Sequence, residues 1–254
     1  CGSWKDIWLN EGFATYLDGL AREHLDGPDD FRTWKQGRIN IITSQTDGYV
    51  YLHDSDTTSV GRIFDWRLTY NKSAMVLHMI RKKLGDADFY QAIKNYLADP
   101  DLSYDYAVTT DLKIHLETTS GLDLTEFFND WVYNEGYPSY TVDWSQPFPS
   151  QARIVLSQTQ SHPSVSFFEV NVPIRIHGTG GEQVDVVLDN TFSGQNFFVP
   201  VTFTVDSVEF DPDFDVISKD NTILDVEEFD LAQQIRVYPN PGSETVYIDA
   251  PEHI

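Results

Sequence analysis

The hydrophobic period of this chain changes at residue 139, and that change calls for two kinds of structure in one polypeptide. Before it, apolar residues recur every three or four positions, as on one face of a helix. Leu9, Phe13, Tyr16, Leu17 and Leu20 predict a helix reaching about His24, which Asp26-Gly27-Pro28 should break. Residues 72 to 84 place Ala74, Leu77, Ile80 and Leu84 on one face, with Arg81, Lys82 and Lys83 in the last turn and Gly85 as the stop. Asp86 or Asp88 should cap the next helix, which carries Phe89, Ile93, Tyr96 and Leu97 and ends at Pro100. Thr110 should cap a short helix ended by Gly121. Asp123-Leu124-Thr125-Glu126 resembles a capping box, opening a helix with Phe127, Phe128 and Trp131 that Gly136 and Pro138 stop.

After residue 139 the runs are short and rich in Val, Ile, Phe and Thr. Val170, Val172, Ile174 and Ile176 alternate with Asn171, Pro173, Arg175 and His177, the period of a half-buried strand. Strands are expected at 139–144, 152–158, 168–176, 183–188, 196–203 and 207–210, with a hairpin turn at Gly178-Thr179-Gly180-Gly181 and an edge or bulge at Pro173. Six or seven such strands make a small β-sandwich. The expected organisation is therefore α+β and multidomain: 1–138 helical, 139–224 an antiparallel sandwich, and 225–254 an acidic linker with the start of a further segment.

The chain carries 17 Lys and Arg against 40 Asp and Glu, a formal net charge of −23. So acidic a surface repels phosphate backbones, which argues against nucleic acid as a partner. No apolar run approaches the roughly 20 residues that span a bilayer. One cysteine, Cys1, excludes an internal disulfide. The opening Cys1-Gly2-Ser3-Trp4 reads as the interior of a longer protein.

Two short motifs carry the chemistry. Trp8-Leu9-Asn10-Glu11-Gly12-Phe13-Ala14 resembles the segment that brings the third zinc ligand in aminopeptidases of the aminopeptidase N (gluzincin) family. Thr69-Tyr70-Asn71-Lys72-Ser73-Ala74 resembles that family's Y-x-K-G/S-A segment. The resemblance implies Glu11 as a metal ligand and Tyr70 as the donor to the oxyanion of a tetrahedral intermediate. It implies Asn10 and Gly12 as supporting and packing positions and Lys72 as a residue that positions the Tyr70 turn. A catalytic zinc takes three N or O ligands and keeps one position open for water. H-E-x-x-H on one helix supplies two of them, so a Glu on a second helix fits the third. The family's H-E-x-x-H lies upstream, and only ten residues precede Glu11 here.

The resemblance continues through Leu116-Glu117, Ser120-Gly121 and Phe127-Phe128 to Gly136-Tyr137-Pro138, the end of the family's thermolysin-like catalytic domain. More loosely it reaches Glu209-Phe210-Asp211-Pro212-Asp213, its closing sandwich strand. Val237-Tyr238-Pro239-Asn240-Pro241-Gly242-Ser243 followed by Val246-Tyr247-Ile248 resembles the start of a type IX secretion sorting domain, which implies a secreted or surface location in a bacterium.

The parent is therefore expected to be a zinc aminopeptidase acting on peptides through metal-activated water. The stretch alone is expected to be inactive and to bind no zinc, since both His ligands and the general-base Glu lie outside it. It is also expected to self-associate through apolar surface left uncovered. The alternative is a non-catalytic helical-plus-sandwich module for docking or surface display. His24, His53, His78, His115, His162, His177 and His253 show no ligand spacing of their own, and His78 reads as a packed or hydrogen-bonded side chain. Side-chain preference, and peptidase against epoxide-hydrolysing relative, are open at this level.

Overall fold

The computed structural model describes residues 2–225 and the backbone of Arg236–Tyr238 and Tyr247–Asp249. Those two segments pair antiparallel; the remainder of the sorting-domain-like motif lies outside the described residues.

A short 3-10 turn at Trp4–Asp6 leads into α1 (Trp8–Leu25). Pro28, expected only as a breaker, also opens the next helix, α2 (Pro28–Ile42). Its missing N–H costs nothing in the first helical turn, where amides have no helical partner. A single turn, α3 (Val60–Ile63), precedes a π-helical segment at Trp66–Lys72 that runs unbroken into α4 (Ser73–Leu84). The sequence predicts a helix from residue 72, and the wide turn before it is a departure. α4 is buried from Ser73 to Arg81, on every face, so it is the central helix of the bundle.

Gly85 ends α4 as expected, and Asp86 lies in the first turn of α5 (Asp86–Ala98) instead of capping it. Its carboxylate accepts from Arg81 Nε at 2.7 Å, so it closes the end of α4. The cap of α6 (Thr109–Ser120) is Val108 rather than Thr110. The Val108 amide donates to Asp111 Oδ2 (2.8 Å), so this helix start is closed by a first-turn carboxylate reaching back and not by a threonine cap. Gly121 stops α6 at φ 72°, a left-handed value glycine adopts freely. α7 (Thr125–Phe128) passes into a second π-helical turn at Asn129–Tyr133, and Leu124 makes no side-chain cap.

The strand region forms two packed sheets. One has the order β5-β2-β1-β7, from β1 (Pro138–Phe148), β2 (Gln151–Gln160), β5 (Gln195–Pro200) and β7 (Thr222–Asp225). The other has the order β4-β3-β6, from β3 (Val170–Gly178), β4 (Gln183–Asn190) and β6 (Val205–Phe210). The alternation read in β3 holds: Val170, Val172, Ile174 and Ile176 are buried, against Ala152, Ile154 and Leu156 of β2 in the same core. The sandwich is antiparallel as expected, with β7 alone pairing parallel with β1. One reading is corrected. Pro173 lies in the central strand of its sheet, in unbroken register with Val187 of β4. Its carbonyl faces β6 and accepts from the Asp211 amide (2.9 Å) beyond the end of that ladder, so the missing N–H deprives no partner strand.

One apolar core runs from α1 and α4 into the sandwich. At the junction Trp131 meets Phe168 with ring centroids 4.6 Å apart. A polar anchor lies beside it. The buried Asp215 carboxylate, on the segment after β6, takes Lys35 of α2, His78 Nε2 at 2.8 Å and Lys82 of α4 at 2.8 Å. The Tyr16 hydroxyl of α1 bonds the other ring nitrogen of His78 at 3.1 Å. His78 is therefore a hydrogen-bonded link, as its place beside an apolar stripe predicts.

Burial holds the His78 imidazole down to about 4, outweighing Asp215, whose charge two ammonium groups already offset. A histidine depressed in the fold binds its proton more readily when unfolded. Stability from this site is then complete above about 6.5 and is lost as pH falls toward 4. Thermal denaturation should show that loss at up to about 1.4 kcal/mol per pH unit. In His78→Gln the pH dependence across this window should flatten; an unchanged slope would remove His78 from it.

Candidate active site

Glu11 and Tyr70 come from different elements and meet. Glu11 sits in the first turn of α1, half-buried, and Asn10 Nδ2 donates to its Oε1 at 3.2 Å. Tyr70 lies on the π-helical segment ahead of α4. Its phenol is raised above the ordinary tyrosine value, first by burial, then by the Glu11 charge and by a hydrogen-bonding interaction with that carboxylate. A tyrosine is protonated at neutral pH in any case, and the shift moves it further from ionisation, so it is a neutral donor next to a carboxylate.

Gly12 explains how the two come together. A Cβ on Gly12 would lie 2.6 Å from Ser73 Cβ, so α1 crosses the start of α4 where a side chain is missing. The N-terminal end of α1 is held independently. The buried Asp6 carboxylate accepts from the Thr109 amide (2.8 Å) and hydroxyl (2.7 Å), and that hydroxyl accepts from Trp8 Nε1 (2.9 Å).

Lys72 is 1% exposed. Its Nζ donates to the Gly48 carbonyl at 2.7 Å and the Gly136 carbonyl at 3.3 Å, tying the Tyr70 turn to a loop and to the entry of the sandwich. Burial, with the Arg67 charge second, pushes the ammonium down to about 7. The π turn is closed from both ends. Asp65 Oδ1 accepts from the Leu68 amide (2.8 Å), and the buried Asn71 side chain donates to the Trp66 carbonyl (2.6 Å). Wide turns of this kind are frequent at functional sites.

Sequence reasoning missed a neighbour of Tyr70 and the guanidinium that sits over it. The Trp66 ring lies 5.5 Å from the Tyr70 ring, and Arg38 of α2 sits over Trp66. The available signal was the four-residue spacing of Trp66 and Tyr70.

The family model of the peptidase family M1 domain matches residues 1–131 of the 254. The chain belongs to peptidase family M1. It is 35% identical to probable aminopeptidase 2 of Sulfurisphaera tokodaii over 147 residues, 53% of this chain and 18% of that protein. It is 24% identical to aminopeptidase N of Lactococcus lactis subsp. lactis over 241 residues, 92% of this chain and 26% of that protein. Among solved structures, aminopeptidase A of Legionella pneumophila, in complex with aspartic acid, matches with a TM-score of 0.67 at 16% identity, over 90% of this chain and 25% of that one. That likeness shows the fold: a helical part followed by a small β-sandwich. The M1 chain thus spans about a quarter or less of these relatives' length.

Among the described residues no three His, Cys, Asp or Glu side chains are grouped so that they could hold a metal ion. A carboxylate is one of the donor types a zinc ion takes, and Glu11 supplies one beside Tyr70. No helix among the described residues is long and apolar enough to cross a membrane.

The close approach at Gly12 gives a test. Gly12→Ala should force α1 away from Ser73 and cost about 1–3 kcal/mol, read as a lower urea midpoint at unchanged slope. A midpoint within error of wild type would show that the crossing is not tight.

Proposed function

We propose that this chain is part of a zinc aminopeptidase that removes N-terminal residues from peptides, with Glu11 as one zinc ligand and Tyr70 as the oxyanion donor. The observation that carries the reading is the pairing of the half-buried Glu11 carboxylate with the Tyr70 phenol beside it, brought together where α1 crosses the start of α4. Membership of family M1, and relatives that are aminopeptidases by name, support it. Zinc, when bound, supplies an activated water and polarises the scissile carbonyl. Tyr70 then aims its O–H at the oxygen on which charge develops, a service whose removal costs about 10²–10³ in kcat at comparable sites. Asn10 holds the carboxylate in orientation, as partners of metal ligands do. Lys72 fixes the turn from which Tyr70 projects.

Taken alone, residues 1–254 bind no stoichiometric zinc and hydrolyse no peptide, because one carboxylate leaves the other positions to water. Exposed Trp4, Leu17 and Trp66 favour self-association of that stretch. The Tyr-Pro-Asn-Pro motif at 238–241 supports a secreted or surface location.

The test uses the full-length protein. Glu11→Ala should lose zinc by elemental analysis and lose peptidase activity, and Tyr70→Phe should keep its zinc while kcat falls by about 10²–10³. Retained zinc and an undiminished rate in the Glu11 variant would refute the assignment.

A further inference from the structure

A cavity of about 180 Å³ opens between α1, α2, α4 and the segment after β6, and neither Glu11 nor Tyr70 lines it. Four cations, Arg32, Lys35, Arg81 and Lys82, line it together with the carboxylates of Glu23, Asp213 and Asp215. The cations differ in the donors they have left. Arg81 is saturated, since it donates to both oxygens of Asp86 and both of Glu23 at 2.7 to 3.2 Å. An ammonium carries three N–H donors and a guanidinium five. Lys35 and Lys82 both reach the one carboxylate of Asp215, Lys82 at 2.8 Å. Arg32 gives its Nε to the Pro212 carbonyl at 2.6 Å, and Asp213 stands off at 4.0 Å. Among the described residues no other oxygen takes a hydrogen bond from these two ammonium groups or from the terminal nitrogens of Arg32.

These donors are in place before anything binds. Lys35 is 4% exposed and its Nζ lies 4.8 Å from the Phe31 ring centre. The Arg32 guanidinium lies 4.6 Å over the Phe214 ring. The wall between them carries positive potential: burial first, and with it the Lys35 and Lys82 charges, depresses the His78 imidazole against the pull of Asp215. We propose that this cavity binds one phosphate-type oxyanion, free or as the ester of a small molecule, with Arg32, Lys35 and Lys82 as its donors. A tetrahedral anion offers oxygens in several directions at once, which suits donors arriving from two helices. The guanidinium can take two of those oxygens side by side, and the ammonium groups act as point charges. The net charge of −23 disfavours an anion at long range, so what holds one here is contact with donors that need no ordering. Because the donors of α2 and α4 meet only in the folded chain, a bound anion stabilises the fold. The site does not depend on the aminopeptidase reading.

The test is titration of the full-length protein with inorganic phosphate, followed by calorimetry and by thermal melting, at neutral pH and an ionic strength held constant with sodium chloride. Wild type should bind one phosphate per chain saturably and melt higher in its presence. Arg32→Met and Lys82→Met should each weaken the binding by about 10-fold, the effect of losing one charge-assisted hydrogen bond. Both side chains are more than 40% exposed, so neither change empties the core, whereas Lys35→Met would strip Asp215 of a buried partner. Lys83→Met removes an equal charge from the last turn of α4 but outside the cavity lining, and should leave the affinity within about 2-fold, since salt screens it. Glycerol phosphate binding more tightly than inorganic phosphate would assign the cavity to an ester, and the reverse to the free anion; either upholds the site. Absence of saturable binding overturns the proposal. So does a loss of affinity that is equal in all three variants, or that is missing from both Arg32→Met and Lys82→Met.

Discussion

Two helices crossing without a side chain between them decide the geometry of the site. Gly12 and Ser73 bring α1 against the start of α4, at a separation that a single added carbon would close to 2.6 Å. The residue on one side of that crossing is Glu11, and the residue three positions before Ser73 is Tyr70. Neither helix alone has any reason to be a site. The contact makes one by placing a carboxylate and a phenol together in a half-buried setting, where burial and the carboxylate raise the phenol above its ordinary value. The supports around the crossing serve the same end. Asp6 and Thr109 hold the entry of α1, and Lys72 holds the turn that carries Tyr70.

The sandwich takes part in that support. Lys72 reaches the carbonyl of Gly136, the glycine just before β1, so the Tyr70 turn and the first strand share a hydrogen-bond donor. On the far side Asp215 draws α2 and α4 toward the segment after β6. A buried carboxylate with two ammonium partners and a neutral imidazole is weak evidence for net stability, because each ion has lost its hydration. Its value is orientation: it fixes which faces of α2 and α4 meet the sandwich, and so the direction in which the π turn between them can point.

Period and punctuation were legible because they are local. The alternation in β3, the stops at Gly85 and Gly121, and the apolar stripe of α4 follow from side-chain spacing and backbone freedom alone. Pro173 was misread because a proline in a strand is judged by which neighbour its nitrogen faces, and only the assembled sheet shows that β6 has ended there. The parallel pairing of β7 depends on a return across the sandwich that no local pattern encodes. At the site, Glu11, Tyr70 and Lys72 were named through motifs, whereas Arg38 and Trp66 were not. Arg38 lies on a different helix from Trp66, and their stacking depends on how α2 packs against the π turn. The π turn itself could not be read in advance, since its wider hydrogen bonds are closed by Asn71 and Asp65 side chains that would serve equally well in a loop.

The acidity of the chain acquires a physical meaning on the aminopeptidase reading. A peptide offers such an enzyme a free ammonium end, and a net charge of −23 attracts cations over a Debye length of about 8–10 Å. Long-range attraction of this kind raises the encounter rate without choosing among side chains. Discrimination must then arise at contact distance, from groups that are dry and fixed. On that reading a negative surface can gather peptides but cannot sort them by side chain, because Coulomb attraction is long-ranged and unspecific while van der Waals packing is short-ranged and shape-dependent.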